Sequence, residues 1–163
     1  MAATRIRPAE PRDVATILRF IHELAEYERR SHELATSATA LHQHLFGTPA
    51  ICGALLAEAD GVPVGFALFF TSYSTFNTAP CLHLEDLYVL PAARGQGHGK
   101  ALLGAVAELA VRRGCARLEW TVLDWNEPAI RFYRSLGAAL LADWRICRVQ
   151  GAEIAQLAQR ARG

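Results

Sequence analysis

The residues best placed to do chemistry in this chain are Arg94-Gly95-Gln96-Gly97-His98-Gly99-Lys100. Three glycines alternate there, so the backbone can pass close to a ligand with its N–H groups turned outward. A helix-like run follows at once, and a helix start adds partial positive charge to those donors. Together these features make a seat for phosphate. The spacing decides which seat. A Walker loop has glycine five places before its second glycine and Ser or Thr after the lysine; those places hold Arg94 and Ala101. A Rossmann G-x-G-x-x-G fails at Lys100 when counted from Gly95 and at Leu102 when counted from Gly97. The pattern present is R-x-x-G-x-G. A glycine-rich turn with no ligand remains the alternative.

Glu85 and Asp86 form the second group. They lie inside an apolar run, between Leu84 and Leu87. Carboxylates in such a place are costly unless they are used or paired. Strand alternation predicts that the two face opposite sides of a sheet and need not share a task. Pairing of one of them with a structural arginine is the alternative.

These groups need elements to position them. Thr4–Arg7 predicts a first strand, and Pro11-Arg12-Asp13 opens a helix whose Ile17, Leu18, Ile21, Leu24 and Ala25 recur at helical spacing through Tyr27. Residues 36–46 predict a second helix with Leu41 and Leu45 inward. Strands at 51–58 and 62–70 flank a tight turn, Ala59-Asp60-Gly61. Residues 72–80 read as a loop and 82–89 as the next strand. The glycine loop and a helix from Lys100 to Arg113 follow, capped by Gly114. A strand at 117–123, a helix at 127–136 opened by Pro128 and ended by Gly137, and one or two last strands within 138–149 complete the pattern. The tail from Gly151 reads as a loose helix. Strands and helices in this order make an α/β chain, of the α+β type, with a mixed central sheet covered by helices.

The bulk properties restrict the function. The chain has 163 residues, 52% of them hydrophobic and 20% charged, with net charge +1. That is one ordinary folded domain. Nothing in the charge draws it to nucleic acid or to an acidic membrane. Runs such as Gly65–Phe70 are far too short to span a bilayer, and Met1–Asp13 is not a secretory signal, so a cytoplasmic location is expected. Cys52, Cys81, Cys115 and Cys147 are far apart with no C-x-x-C, which predicts buried free thiols. The histidines form no H-E-x-x-H, His42 and His44 read as surface residues, and no metal is implied.

Over nearly its whole length the chain resembles the GNAT acetyltransferases, and within them the diamine branch that acts on spermidine, spermine and thialysine. The residues that carry the resemblance are Ile6-Arg7-Pro8, Glu23-Leu24-Ala25-Glu26-Tyr27-Glu28, Leu84-Glu85-Asp86-Leu87-Tyr88-Val89, the loop Arg94–Gly99, Trp125-Asn126-Glu127-Pro128 and Phe132-Tyr133. The glycine loop is common to the superfamily; the other segments, occurring in order, are narrower. Thr121–Asn126 is closer to the thialysine side. One departure is the short stretch Ala138–Trp144, where the branch has a few more residues, several of them acidic; a substrate contact is therefore not carried over to Trp144.

The resemblance implies a single GNAT domain over residues 1–150 with a tail at 151–163. It implies about six to seven strands and about four helices. It implies acetyl-CoA as cosubstrate, held by Leu87, Tyr88, Val89, Arg94, Gly95, Gln96, Gly97, His98, Gly99, Lys100, Asn126, Pro128 and Ala129. Tyr133 matches the acid that protonates the departing thiolate; a core aromatic on an amphipathic helix is the alternative. Glu85 matches the group that takes the amine's proton through water. Tyr27, Glu28, Glu85, Asp86, Glu119, Trp120 and Thr121 match substrate-side positions. The expected function is acetylation of a small primary amine by direct attack in a ternary complex, by a homodimer. An acceptor that is a protein N-terminus or an antibiotic amine, or a non-catalytic acyl-CoA-binding module, are the rival readings.

Overall fold

The computed structural model describes residues 4–161. Its contacts group the chain into two compact units, up to Leu123 and from Asp124 onwards. The first unit is a five-stranded sheet in the order β1 (Thr4–Pro8), β2 (Gly53–Ala59), β3 (Val62–Ser74), β4 (Ala79–Val89), β5 (Leu118–Glu119). The first three neighbouring pairs are antiparallel; β4 and β5 run parallel. Asp60 and Gly61 both have positive φ, 50° and 78°, which closes the two-residue turn between β2 and β3.

Helix α1 (Val14–Tyr27) and helix α2 (Ala38–Phe46) bury one face of this sheet. Ile17, Phe20 and Leu45 meet Ala54, Leu56, Phe66, Leu68 and Tyr88 there. Helix α3 (His98–Arg112) packs against β1, β2, β3 and β4, and buries Leu102, Leu103 and Val106. The arginine of the Ile6-Arg7-Pro8 segment is structural. Its guanidinium bonds Asp13 Oδ2 at 2.6 Å and Glu58 Oε1 at 2.7 Å, and ties β1 and β2 to the start of α1. The Asp13 hydrogen bond leads in raising Arg7 further, and Arg7 in turn holds Asp13 below the usual carboxylate range.

The second unit holds α4 (Glu127–Ser135) and α5 (Ala152–Arg160). Asn126 caps α4 by accepting from the Ala129 N–H, and Gly137, at φ 89°, ends it.

The fold is the expected α/β class with a mixed sheet. It differs from the sequence expectation in four places. The 72–80 stretch is a hairpin, because β3 continues to Ser74 and β4 begins at Ala79. The strand expected at 117–123 pairs only at Leu118 and Glu119. Residues 138–149 form no regular strand, which leaves five strands among the described residues, while the tail forms the helix expected there. Cys147 is exposed; Cys81 is buried, and Cys52 and Cys115 are half-buried.

Candidate active site

β4 positions most of the site in the first unit, and a slip in its pairing decides the geometry. Tyr88 lies opposite Phe66 and Asp86 opposite Leu68, but the next pair is Leu84 with Phe69. Glu85 has no partner on β3: it is the extra residue of a β-bulge. The bulge reverses the alternation behind it. Leu84 and Leu82 turn to the α3 side, while His83, opposite Phe70, stays on the same side as Asp86 and Tyr88. The His83 and Phe70 rings stack, with centroids 4.9 Å apart. Glu85 follows His83 by two, and its Oε2 is 3.7 Å from His83 Nε2. The expectation that Glu85 and Asp86 face opposite sides is therefore corrected. An inserted residue places both carboxylates on the α1 face.

Their surroundings differ. The Glu85 side chain is 56% exposed, while Asp86 is half-buried. Glu28, just past the end of α1, is the third carboxylate of the group. Burial pushes Asp86 up to about 7, helped by the like charges of Glu85 and Glu28. Burial also raises Glu28, partly offset by Arg30. Among the described residues no arginine or lysine pairs with Asp86 or Glu85. The structural arginine, Arg7, is spent on Asp13 and Glu58.

The outer edge of β4 is open beyond its second pair with β5. The parallel ladder covers Leu82 with Leu118 and His83 with Glu119 and then stops. Leu90 N–H bonds Val64 O on the β3 side at 2.8 Å. Backbone groups alternate along a strand, so Leu87 and Val89 turn theirs to the open edge. The Val89 carbonyl there accepts from Arg94 Nε at 3.0 Å. Tyr88 differs from its neighbours. Its side chain is buried and its Oη donates to Glu23 Oε2 at 2.9 Å, which anchors α1 to β4.

The glycine loop follows. Gly95 and Gly97 take φ of 76° and 90°, and a Cβ on either would meet no protein atom within 4 Å. Arg94, Gly95, Gln96, Gly97 and Lys100 are exposed. Gly97 caps α3 without a side chain, so the N–H groups of the first turn have no intrahelical partner. Exposed donors, a helix start and an open strand edge in succession fit an acyl-CoA with its pyrophosphate at the loop. His98 contributes backbone only. Its ring is buried and bonds Thr4 Oγ1 through Nδ1 at 2.9 Å. The Arg94 guanidinium stacks 4.9 Å from the Tyr27 ring centroid, which joins the loop to the end of α1.

On β5, Glu119 already holds Arg117 at 2.9 Å; Trp120 is half-buried and Thr121 exposed. In the second unit Asn126 is buried at the head of α4. Pro128 lies in the first turn, Ala129 is half-buried, and half-buried Tyr133 packs on Phe132 with ring centroids 5.3 Å apart. Sequence reasoning missed Glu23 and His83. Their only signal is spacing from Tyr27 and Glu85, and reading it requires knowledge of the bulge.

Known proteins share this chain's sequence pattern and fold. A profile of the acetyltransferase (GNAT) family matches residues 17–138. A thialysine N-epsilon-acetyltransferase from Mus musculus is 40% identical over 171 residues, covering 98% of this chain and 100% of the mouse protein. An L-ornithine N5-acetyltransferase from Arabidopsis thaliana is 32% identical, covering 91% of this chain and 85% of its own. Among solved structures, an integron cassette protein from V. cholerae superposes with TM-score 0.78 at 26% identity, over 98% of this chain and 99% of that one. With its glycine loop, open strand edge and carboxylate-bearing bulge, the chain belongs to the GNAT family and is an N-acetyltransferase.

Proposed function

We propose that the protein transfers the acetyl group of acetyl-CoA to a small, cationic primary amine, with thialysine first and other amino acids or polyamines bearing a terminal amine second. The observation that carries this reading is the carboxylate group Glu28, Glu85 and Asp86, which has no arginine or lysine on the Glu85–Asp86 pair among the described residues. A bound ammonium would supply the missing charge. At an effective dielectric near 20, a close pair gains about 4 kcal/mol. The names of the mouse and Arabidopsis thaliana relatives, one for thialysine and one for L-ornithine, support an amino acid with a terminal amine.

Acetyl-CoA supplies an activated thioester. The loop 94–100 binds its pyrophosphate. The backbone N–H groups of Leu87 and Val89 serve its arm and carbonyl, where each well-placed donor contributes roughly 3 kcal/mol to a developing oxyanion. The Glu85–Asp86 pair receives the ammonium and takes one proton from it. The freed lone pair attacks the carbonyl carbon, the C–N bond forms as the C–S bond breaks, Tyr133 gives its proton to the departing sulfur, and the acylated nitrogen sheds its second proton to water, which reprotonates Tyr133. Direct attack is favoured over an acetyl-cysteine route. Burial raises the Cys52 thiol, which keeps it protonated and a poor nucleophile.

Release of free CoA thiol, followed over a panel of amines, tests the reading. Thialysine, ornithine and spermidine should give turnover, in falling order from thialysine. Turnover only with a peptide N-terminus or an aminoglycoside would overturn the acceptor class. Absence of thiol release with every amine, despite acetyl-CoA binding, would favour a binding module.

A further inference from the structure

We infer that Asp86, and not its neighbour Glu85, is the base that takes the proton from the attacking amine, while Glu85 holds the ammonium as it enters. The inference deepens the proposed function and rests on it. Its starting point is the bulge. An ordinary strand would send the two carboxylates to opposite faces, and only one could meet the amine. Here both lie on the α1 face, so the amine meets both and their roles must be divided.

Geometry divides them. Glu85 is the unpaired residue at the outside of the bulge, largely exposed, with His83 Nε2 at 3.7 Å. Water and that imidazole surround its carboxylate, at the mouth through which an ammonium enters. Asp86 sits one step further in, opposite Leu68 of the apolar core. Glu85 on its own strand and Glu28 from the end of α1 are the charges that act on it, and both are negative. Arg30 and Glu33 stand behind Glu28. Arg94 is engaged with Tyr27 and the Val89 carbonyl. Asp86 therefore has no cation among the described residues until the substrate arrives, and a proton relieves both its burial and its repulsion. It also adjoins Leu87, whose N–H faces the open edge, so the amine it deprotonates lies one residue from the donors for the thioester.

The step is a plain proton transfer followed by acyl transfer. Asp86 carboxylate takes one proton from the ammonium and becomes the neutral acid. The amine's lone pair forms the C–N bond to the acetyl carbon of the thioester, and the C–S pair leaves with sulfur. The acylated nitrogen loses its second proton to water as the neutral amide forms, and Asp86 then returns its own proton to solvent. Matching to pH supports the assignment, since a base with an apparent value near 7 combines adequate strength with availability at neutral pH.

The pH dependence of kcat/KM for thialysine, or for whichever amine gives turnover, tests this in three variants. In the unaltered protein an ascending limb near pH 7 is expected. Asp86→Asn should lose that limb, fall about 100-fold at pH 7.5, and rise instead in step with free amine. Glu85→Gln should keep the limb but move it to lower pH, because a like charge beside Asp86 is gone, and its loss should lie mainly in KM. His83→Gln should keep the limb, which separates it from an imidazole titration. A limb retained in Asp86→Asn and lost in Glu85→Gln, or retained in both, would overturn the inference. If Asp86→Asn fails to fold, carbon-13 carboxyl NMR of the unaltered protein decides. An aspartate side chain titrating near pH 7 is expected, and none would overturn the assignment. Absence of any amine turnover in the unaltered protein is a different result, and it defeats the proposed function itself.

Discussion

Two tyrosines show how much the surroundings of one phenol decide. Tyr88 is buried and donates to Glu23, and burial followed by that bond pushes it up to about 12. Such a phenol holds its proton, and its task is to anchor α1. Tyr133 is half-buried on α4 against Phe132. Its proposed task is to give a proton to the departing sulfur as the C–S bond breaks. Tyr133→Phe keeps the ring and deletes that proton. A fall in kcat of roughly 100-fold is expected, since positioned proton transfer contributes on that order. The melting temperature should barely change. Parallel loss of stability and turnover would mark Tyr133 as a packing residue instead. At this scale the types of the site residues were legible in the sequence and their directions were not. Glu85 and Asp86 stood out because two carboxylates in an apolar run demand a reason. Their common face came from the bulge, which depends on how Leu68 and Phe69 register against β4.

The glycine loop makes its argument as an element. Gly95 and Gly97 are not glycines for want of space, because a Cβ at either meets nothing within 4 Å. They are glycines because φ is positive at both, a region that costs other residues roughly 1–2 kcal/mol. Gly97→Ala therefore strains the turn into α3 and tilts the free N–H groups, and also adds a methyl on the ligand side. Calorimetry should show acetyl-CoA affinity weakened about 10-fold or more, the scale of 1.4 kcal/mol. Unchanged affinity would remove the loop from the cofactor site. Helices were legible at this scale, since Ile17, Ile21 and Leu24 keep their period whatever lies opposite. Strand lengths were less so. Residues 117–123 have the composition of a strand, yet pairing lasts only as long as the neighbour does, and β5 is two residues long. The same dependence on partners explains why 138–149, rich in apolar residues, forms no strand.

For the molecule as a whole, the site's unpaired charge is a charge on stability. Asp86 has an ordinary value of 3.8 and is raised to about 7, so the folded state binds its proton more tightly than the unfolded chain does. The sign follows from that inequality. With respect to this group, stability is full below about 3.8 and is lost as pH climbs towards 7, where the unfolded chain is ionised and the folded one is not. Above 7 the loss is complete, on the order of 4 kcal/mol at 1.36 kcal/mol per unit. Asp13 works in the opposite direction. Arg7 holds it low, so its contribution is present at neutral pH and fades as pH falls through the acid range. Asp86→Asn removes the first term and leaves the second. Its melting temperature should exceed that of the unaltered protein at pH 8 by roughly 8–16 °C, given 2–4 °C per kcal/mol at this chain length. The advantage should shrink steadily below pH 7 and vanish near pH 4. Saturating thialysine should close part of the gap at pH 8 by binding only where Asp86 is ionised, since a ligand stabilises the state it binds. Equal melting temperatures for the two proteins at pH 8 would mean that Asp86 is solvated or paired in solution, and that the carboxylates under α1 are not held ready for a cation.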